Sequence, residues 1–70
     1  MPEVLAEMVA NVWRVLVAPG HSVAIGDPLV ILESMKMEIP VESPVAGTVT
    51  DVRVREGAAV QEGDVIAVVE

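Results

Sequence analysis

Apolar residues lie along the chain in short runs that are rich in valine. Residues 47–54, GTVTDVRV, alternate β-branched and polar residues over part of their length, which is typical of a strand with one buried face. Residues 28–33 and 65–70, PLVILE and VIAVVE, are apolar runs of strand length. Residues 5–16 are ambiguous, because their apolar side chains recur at helical spacing. The hydrophobic pattern alone therefore predicts strands in much of the chain and leaves its beginning open.

An internal repeat resolves this ambiguity. When the chain is shifted by 37 residues, it aligns with itself from Met8 to Glu70 without a gap. Residues 10–17 then align with residues 47–54, so both segments are predicted to be strands. The identical aligned pairs are Val12–Val49, Val15–Val52, Val17–Val54, Gly20–Gly57, Val23–Val60, Gly26–Gly63, Asp27–Asp64 and Glu33–Glu70.

The repeat also predicts the fold class. Its copies are residues 8–33 and 45–70, a hairpin at residues 34–44 connects them, and residues 1–70 make one domain. Each copy is too small to bury a core alone, so the copies are predicted to pack face to face as a flattened β-sandwich with a pseudo-twofold axis. The composition agrees with an all-β protein, because hydrophobic residues make up 53% of the chain without any Phe or Tyr.

Each copy has an irregularity in its first strand. The apolar positions step by three residues and then by two, as in Val12, Val15 and Val17. A step of three moves a side chain to the opposite face unless the strand is bulged or bent. A kink is therefore predicted near Trp13–Arg14 and near Thr50–Asp51. The turns GHSVAIGD and GAAVQEGD follow, and the valine between the two glycines of each is predicted to point inward.

Charge and composition exclude several classes of function. Eleven acidic residues against four basic ones give a net charge of -7 at pH 7. This charge repels phosphate backbones and anionic lipids, so no nucleic-acid partner and no membrane partner is expected. The first ten residues, MPEVLAEMVA, have glutamates where a signal peptide has basic residues, and a cytoplasmic protein is expected. The absence of cysteine excludes disulfides, thiol nucleophiles and zinc–thiolate clusters.

The connecting hairpin contains the single lysine of the chain. In ESMKMEIP, Lys36 lies between Met35 and Met37 at the predicted reversal. Two-residue hairpin turns favour Asn-Gly or Asp-Gly because both central residues need a positive φ, so methionine and lysine at the tip imply mild strain and exposed apolar area. Such a tip suggests a surface that another protein contacts. The plainer alternatives are a solvated turn lysine and a methionine that packs back against Ile39 or Val41.

The hairpin and the sequences around it resemble a known family. ESMKME, followed by VESPVAGTV and by the duplicated turns that end in Gly-Asp, is similar to the biotinyl domain of biotin carboxyl carrier proteins, in the biotin and lipoyl attachment family. The resemblance extends from about Met8 to Glu70 and implies a free-standing single domain with the barrel-sandwich hybrid fold of biotinyl and lipoyl domains. Two positions depart from the family pattern. Ser34 replaces the usual alanine, a small-for-small change, and Ala10 replaces a common glycine at the entry of the first strand.

The resemblance implies a carrier function. Lys36 would be the covalent attachment site for biotin, added by a biotin protein ligase, and Met35 and Met37 would take part in recognition of the hairpin. The chain would be a non-catalytic carrier that takes carboxylate on biotin from the biotin carboxylase to the carboxyltransferase component of a biotin-dependent carboxylase. A monomer is expected for the isolated chain.

The sequence predicts no active site and no metal site of the chain's own. His21 is the single histidine and lies in a turn, away from any concentration of metal-ligating or catalytic partners. Glu33 and Glu38 resemble a pair of catalytic carboxylates. In the family pattern, however, they flank the hairpin, and they are interpreted as docking contacts.

Two alternatives to biotin stay open. A lipoyl carrier has the same fold and a hairpin lysine. Lipoyl hairpins, however, typically have Asp before the lysine and a small residue after it, whereas this chain has methionine on both sides. The other alternative is an unmodified interaction module that kept the sandwich and lost the modification of Lys36.

Overall fold

Residues 2–70, which the computed structural model describes, fold entirely into strands and turns. The all-β fold class is confirmed, and the ambiguous segment around residues 10–15 is a strand. Those residues include no helix that is long and apolar enough to cross a lipid bilayer. The strands are β1 (Glu3–Leu5), β2 (Ala10–Val15), β3 (Ser22–Val23), β4 (Pro28–Ser34), β5 (Met37–Glu42), β6 (Gly47–Val52), β7 (Ala59–Val60) and β8 (Val65–Val69).

The strands form two antiparallel, four-stranded sheets that do not close into one barrel. Their strand orders are β1-β8-β6-β3 and β5-β4-β2-β7. Within the described residues, each connection between consecutive strands leads from one sheet to the other, except the connection from β4 to β5. The β4–β5 hairpin is therefore the one place where the chain turns back beside itself in the same sheet.

The repeat copies face each other with their longer strands, as predicted, but they exchange their short strands. Strands β2 and β4 of residues 8–33 lie in one sheet and β6 and β8 of residues 45–70 lie in the other, whereas β3 and β7 each pair in the sheet of the opposite copy. Each sheet contains two strands from β1–β4 and two strands from β5–β8. The physical reason is that four short strands of one half cannot provide two layers with complete hydrogen-bonded neighbours. Strands from the other half supply the missing neighbours in both layers, and each strand can then bury one apolar face against the opposite sheet.

The pseudo-twofold relation extends closer to the N-terminus than the sequence repeat. In β1, Val4 lies opposite Ala67 and Leu5 lies opposite Val65, with a register shift between them. The residues 37 positions away, which lie in β5 and β4, pair in the same way. Val41 lies opposite Val30, Glu42 lies opposite Pro28, and the register shifts between these two pairs. Strands β1 and β5 are thus equivalent in backbone pairing, although their side chains differ too much for the sequence repeat to include them.

Both predicted kinks are confirmed as β-bulges. The register of β2 against β4 shifts between Val12 and Arg14, and the register of β6 against β8 shifts between Val49 and Asp51. The extra residue in the first bulge is Trp13, whose side chain is partly exposed and is stacked under the Arg14 guanidinium, 4.9 Å from the ring centroid. The bulge lets the following apolar residues return to the inner face of the sheet.

The core lies between the two sheets and consists mainly of branched aliphatic side chains. The valines predicted to point inward from the turns, Val23 and Val60, are buried. The buried polar residue Ser43 satisfies its hydroxyl by donating to the carbonyl oxygen of Val45 at 2.6 Å. The largest fully buried side chains are Leu29, Leu32, Ile66, Val12, Val30, Val49, Val60, Val69 and Ser43.

Each Gly-Asp turn is stabilised by its aspartate, a role that the sequence pattern did not predict. Gly26 and Gly63 have φ values of 90° and 91°, a backbone conformation that residues with a Cβ rarely adopt. The next residue in each turn, Asp27 or Asp64, accepts a hydrogen bond on Oδ2 from the backbone N–H three positions earlier, at 2.8 Å in both cases. Identical turns in the two halves thus have identical side-chain support.

The departure at Ala10 is accommodated at the start of β2. Ala10 is buried and lies opposite Val60. Its pseudo-symmetric counterpart is Gly47, where an added Cβ would lie 2.4 Å from the carbonyl oxygen of Glu70. That oxygen accepts a hydrogen bond from the N–H of Thr48. Glycine is therefore required by close backbone approach in the second half, whereas the first half has room for a methyl group.

We expect the substitution Gly47→Ala to destabilise the fold, because the new methyl group must displace the backbone at Glu70. The expected loss in free energy of unfolding is about 1–3 kcal/mol, the usual range for forced overpacking. Urea denaturation followed by circular dichroism measures it. Ala10→Gly is the matched control and should cost less than Gly47→Ala; equal or reversed effects would contradict the assigned difference between the two positions.

Candidate functional site

The β4–β5 hairpin ends in a two-residue turn formed by Met35 and Lys36. Ser34 lies opposite Met37 as the last ladder pair, and Leu32 lies opposite Ile39. The predicted position of the reversal is thereby confirmed. The ladder aligns the tip with the sheet, and the core residue Leu32 anchors the base of the hairpin.

Both residues of the turn have a left-handed backbone conformation. The φ values are 52° for Met35 and 64° for Lys36, as in a type I′ turn, whose twist matches that of the flanking strands. A residue with a Cβ in this conformation costs roughly 1–2 kcal/mol, so the expected strain is present at both positions. The fold therefore holds a methionine and a lysine where asparagine and glycine would be more stable.

The side chains of the tip point away from the body of the protein. Met35 is 92% exposed and Met37 is 63% exposed, so the alternative in which a methionine packs back against the core is wrong. Lys36 is also exposed. Within residues 2–70, Lys36 forms no ion pair with a carboxylate, and the ion pair present joins Arg53 and Asp51. The Lys36 amine is therefore accessible from the solvent.

Two glutamates flank the hairpin just behind the tip. Glu33 in β4 lies directly opposite Glu38 in β5. Like charges in opposite positions of an antiparallel pair repel each other, and neither carboxylate forms an ion pair within residues 2–70. This position fits the predicted docking role, since a partner that supplies a cation would relieve the repulsion.

His21 has a local role in the turn between β2 and β3. Its Nδ1 accepts a hydrogen bond from the backbone N–H of Ala18 at 3.3 Å, and the side chain is exposed. No group of three or more His, Cys, Asp or Glu residues is arranged as a metal site within the described part of the chain. The chemically distinctive group of the described surface is therefore the Lys36 amine at the tip.

Comparison with known proteins identifies the class. A family model described as "Biotin-requiring enzyme" matches residues 1–69. The chain belongs to this biotin and lipoyl attachment family, and the predicted family resemblance is confirmed.

Particular relatives include proteins of nearly the same length. The chain is 54% identical over 67 residues to a protein of Mycobacterium leprae named "Biotinylated protein TB7.3 homolog", covering 96% of this chain and 94% of that protein. It is 45% identical over 60 residues to the "Biotin/lipoyl attachment protein" of Bacillus subtilis, covering 86% and 82%.

A solved structure agrees with the fold. The urea carboxylase of Kluyveromyces lactis matches with a TM-score of 0.92 and 30% identity over 99% of this chain, which corresponds to 6% of that much longer protein. The open two-sheet sandwich of this short chain thus also occurs as a small segment of a much longer protein.

We expect the double substitution Met35→Asn and Lys36→Gly to stabilise the protein, because it relieves the left-handed strain at the turn. The expected gain in free energy of unfolding is about 1–2 kcal/mol, measured by urea denaturation. Lys36→Arg, which keeps a bulky residue at the same φ, is the control and should leave stability within about 0.5 kcal/mol of the parent. A double variant no more stable than the control would show that the tip is not strained.

Proposed function

We propose that this chain is a biotin acceptor and carrier protein that is modified on Lys36. The observation that supports this most directly is the exposed amine at the two-residue turn of the one hairpin that stays within a sheet. The names of the relatives in Mycobacterium leprae and Bacillus subtilis, a biotinylated protein and a biotin/lipoyl attachment protein, agree with the proposal. A "Biotin carboxyl carrier protein" of Streptococcus mutans is also 42% identical over 59 residues.

The tip fits covalent attachment of biotin. Formation of the amide bond releases a proton from Nζ of Lys36, and a biotin protein ligase would accept this proton. With an activated biotinyl-adenylate, the new bond joins Nζ to the biotin carboxyl carbon and the adenylate leaves as AMP. The exposure of Lys36 and its lack of an ion pair within residues 2–70 leave room for such an enzyme to close over the amine.

Met35 and Met37 provide the apolar part of the recognition surface. Their thioethers are exposed on both sides of Lys36, and flexible, polarizable side chains of this kind adapt to more than one partner. A ligase and a carboxylase must both accept the same tip. Two methionines beside one amine are suited to this double use, and the opposed Glu33 and Glu38 add charge behind them.

The chain itself acts as a carrier component and not as the catalyst. Biotin, when attached, supplies the ring nitrogen that accepts and releases carboxylate, and the partner enzymes supply the active sites. The B. subtilis pyruvate carboxylase that is 40% identical over 67 residues has this segment as only 6% of its length. We infer that the partners are a biotin protein ligase and the biotin carboxylase and carboxyltransferase components of a carboxylase, which a monomeric carrier visits in turn.

Lys36→Arg is expected to abolish biotinylation, because the guanidinium keeps the charge but does not form the amide. Intact-mass spectrometry after incubation with a biotin protein ligase, biotin and ATP measures the label, and circular dichroism tests whether the fold is retained. We expect the parent to gain one biotinyl group and the variant to gain none while its β-sheet signal is unchanged.

The matched control places a lysine elsewhere on the surface. In the double variant Lys36→Arg with Arg53→Lys, the single lysine lies on the body of the sandwich, and no label is expected there. Labelling of this double variant would show that the ligase accepts any exposed lysine. A parent chain that stays unmodified beside a labelled carrier would remove the biotin proposal, and a lipoyl mass increment after incubation with a lipoate ligase would favour the lipoyl alternative.

A further inference from the structure

A groove of about 870 Å³ lies on the opposite side of the hairpin from Glu33 and Glu38, between β1 and β5. These are the edge strands at the same side of the two sheets. Half-buried side chains of Met8, Ile39 and Val41 line the groove over the buried Leu32 and Val4. The groove thus has an apolar floor that the sandwich does not cover.

The rim of this groove is acidic. Glu3, Glu7, Glu42 and Glu62 line it and are all exposed. Among residues 2–70, no lysine, arginine or histidine lines the same groove. The four carboxylates therefore face a common apolar surface without a neutralising cation in the lining, and their summed field favours a positively charged occupant.

The pseudo-twofold relation shows that this acidic rim does not simply follow from the duplication. The positions equivalent to the four rim glutamates, at an offset of 37 residues, hold uncharged residues in the other half of the chain. The equivalent pairs are Glu3 and Pro40, Glu7 and Pro44, Glu42 and Leu5, and Glu62 and Ile25. Each half thus contributes two acids at sites where its counterpart has none, and all four converge on one groove.

The open edge of β5 limits how a partner can bind. The pair that flanks a two-residue turn is hydrogen-bonded, and such pairs alternate along an antiparallel ladder. Starting from Ser34 and Met37, the pair of Ile31 and Pro40 is not hydrogen-bonded, so the nitrogen of Pro40 faces the open edge. Because proline has no N–H, strand addition along β5 is interrupted there. Recognition must depend chiefly on side chains.

We propose that the groove between β1 and β5 binds a partner-protein segment in which apolar side chains are interspersed with lysine or arginine. The apolar side chains contact Met8, Ile39 and Val41, and the cations pair with the rim glutamates. This surface lies on the hairpin that contains Lys36, so a partner held there is near the tip. The binding does not require the lysine to be modified and is independent of the proposed carrier function.

The test uses the unmodified chain and a blocked peptide of the sequence Lys-Leu-Arg-Val-Lys, followed by NMR titration. We expect the methyl signals of Ile39 and Val41 to shift while the indole signal of Trp13, on the outer face, stays in place. A peptide with serine in place of leucine and valine keeps the charge and should bind at least fivefold more weakly, because it lacks contacts with the apolar floor.

Two charge variants separate the groove from general attraction to an acidic protein. Glu42→Gln with Glu62→Gln removes two rim charges and should weaken binding of the peptide at least fivefold. Glu56→Gln with Glu70→Gln gives the same net charge away from the rim and should change binding less than twofold. The same spectra show whether each variant is folded. Equal weakening by both variants, shifts centred on Trp13, or no binding at millimolar peptide would each overturn the proposal.

Discussion

The structure depends on backbone hydrogen bonding between strands from the two halves of the sequence. Neither half provides a full sheet, since each contributes two strands to each layer. Each of the strands β2, β4, β6 and β8 has one hydrogen-bonded neighbour from its own half and one from the other half. Burial of Leu29, Val49 and Ile66 requires both layers to be present at once. A chain of 70 residues has few apolar contacts to spare, so this interdependence makes the sandwich a single cooperative unit.

The same topology explains why the candidate attachment site lies on β4 and β5. All other connections between described strands cross from one layer to the other. The β4–β5 hairpin alone extends a ladder to a two-residue turn, where Met35 and Lys36 have positive φ. Its base is fixed by the buried Leu32 and its tip is exposed. The base of the hairpin thus stabilises it, and the tip remains accessible to other molecules.

The sequence predicted the features that depend on local pattern or on the exact repeat. The bulges at Trp13 and Thr50 follow from the spacing of inward valines, and the turn at Lys36 follows from the end of the first copy. The exchange of short strands between the halves was not predictable, because side-chain alternation does not state which strand lies next to which. The groove was missed because β1 differs from β5 in side chains, so the convergence of Glu3 and Glu42 is visible only after strand pairing is known.

The type I′ turn has a consequence for how cargo can travel. The backbone of a two-residue turn closed by the Ser34–Met37 pair has little conformational freedom. The α-carbon of Lys36 is therefore fixed relative to the sandwich. Freedom remains in the torsions of the lysine stem and of whatever is joined to it. Transport between catalytic centres farther apart than the extended lysine side chain and its cargo can reach must come from displacement of the whole domain. A free-standing carrier would make this displacement by dissociating from one component and binding the next.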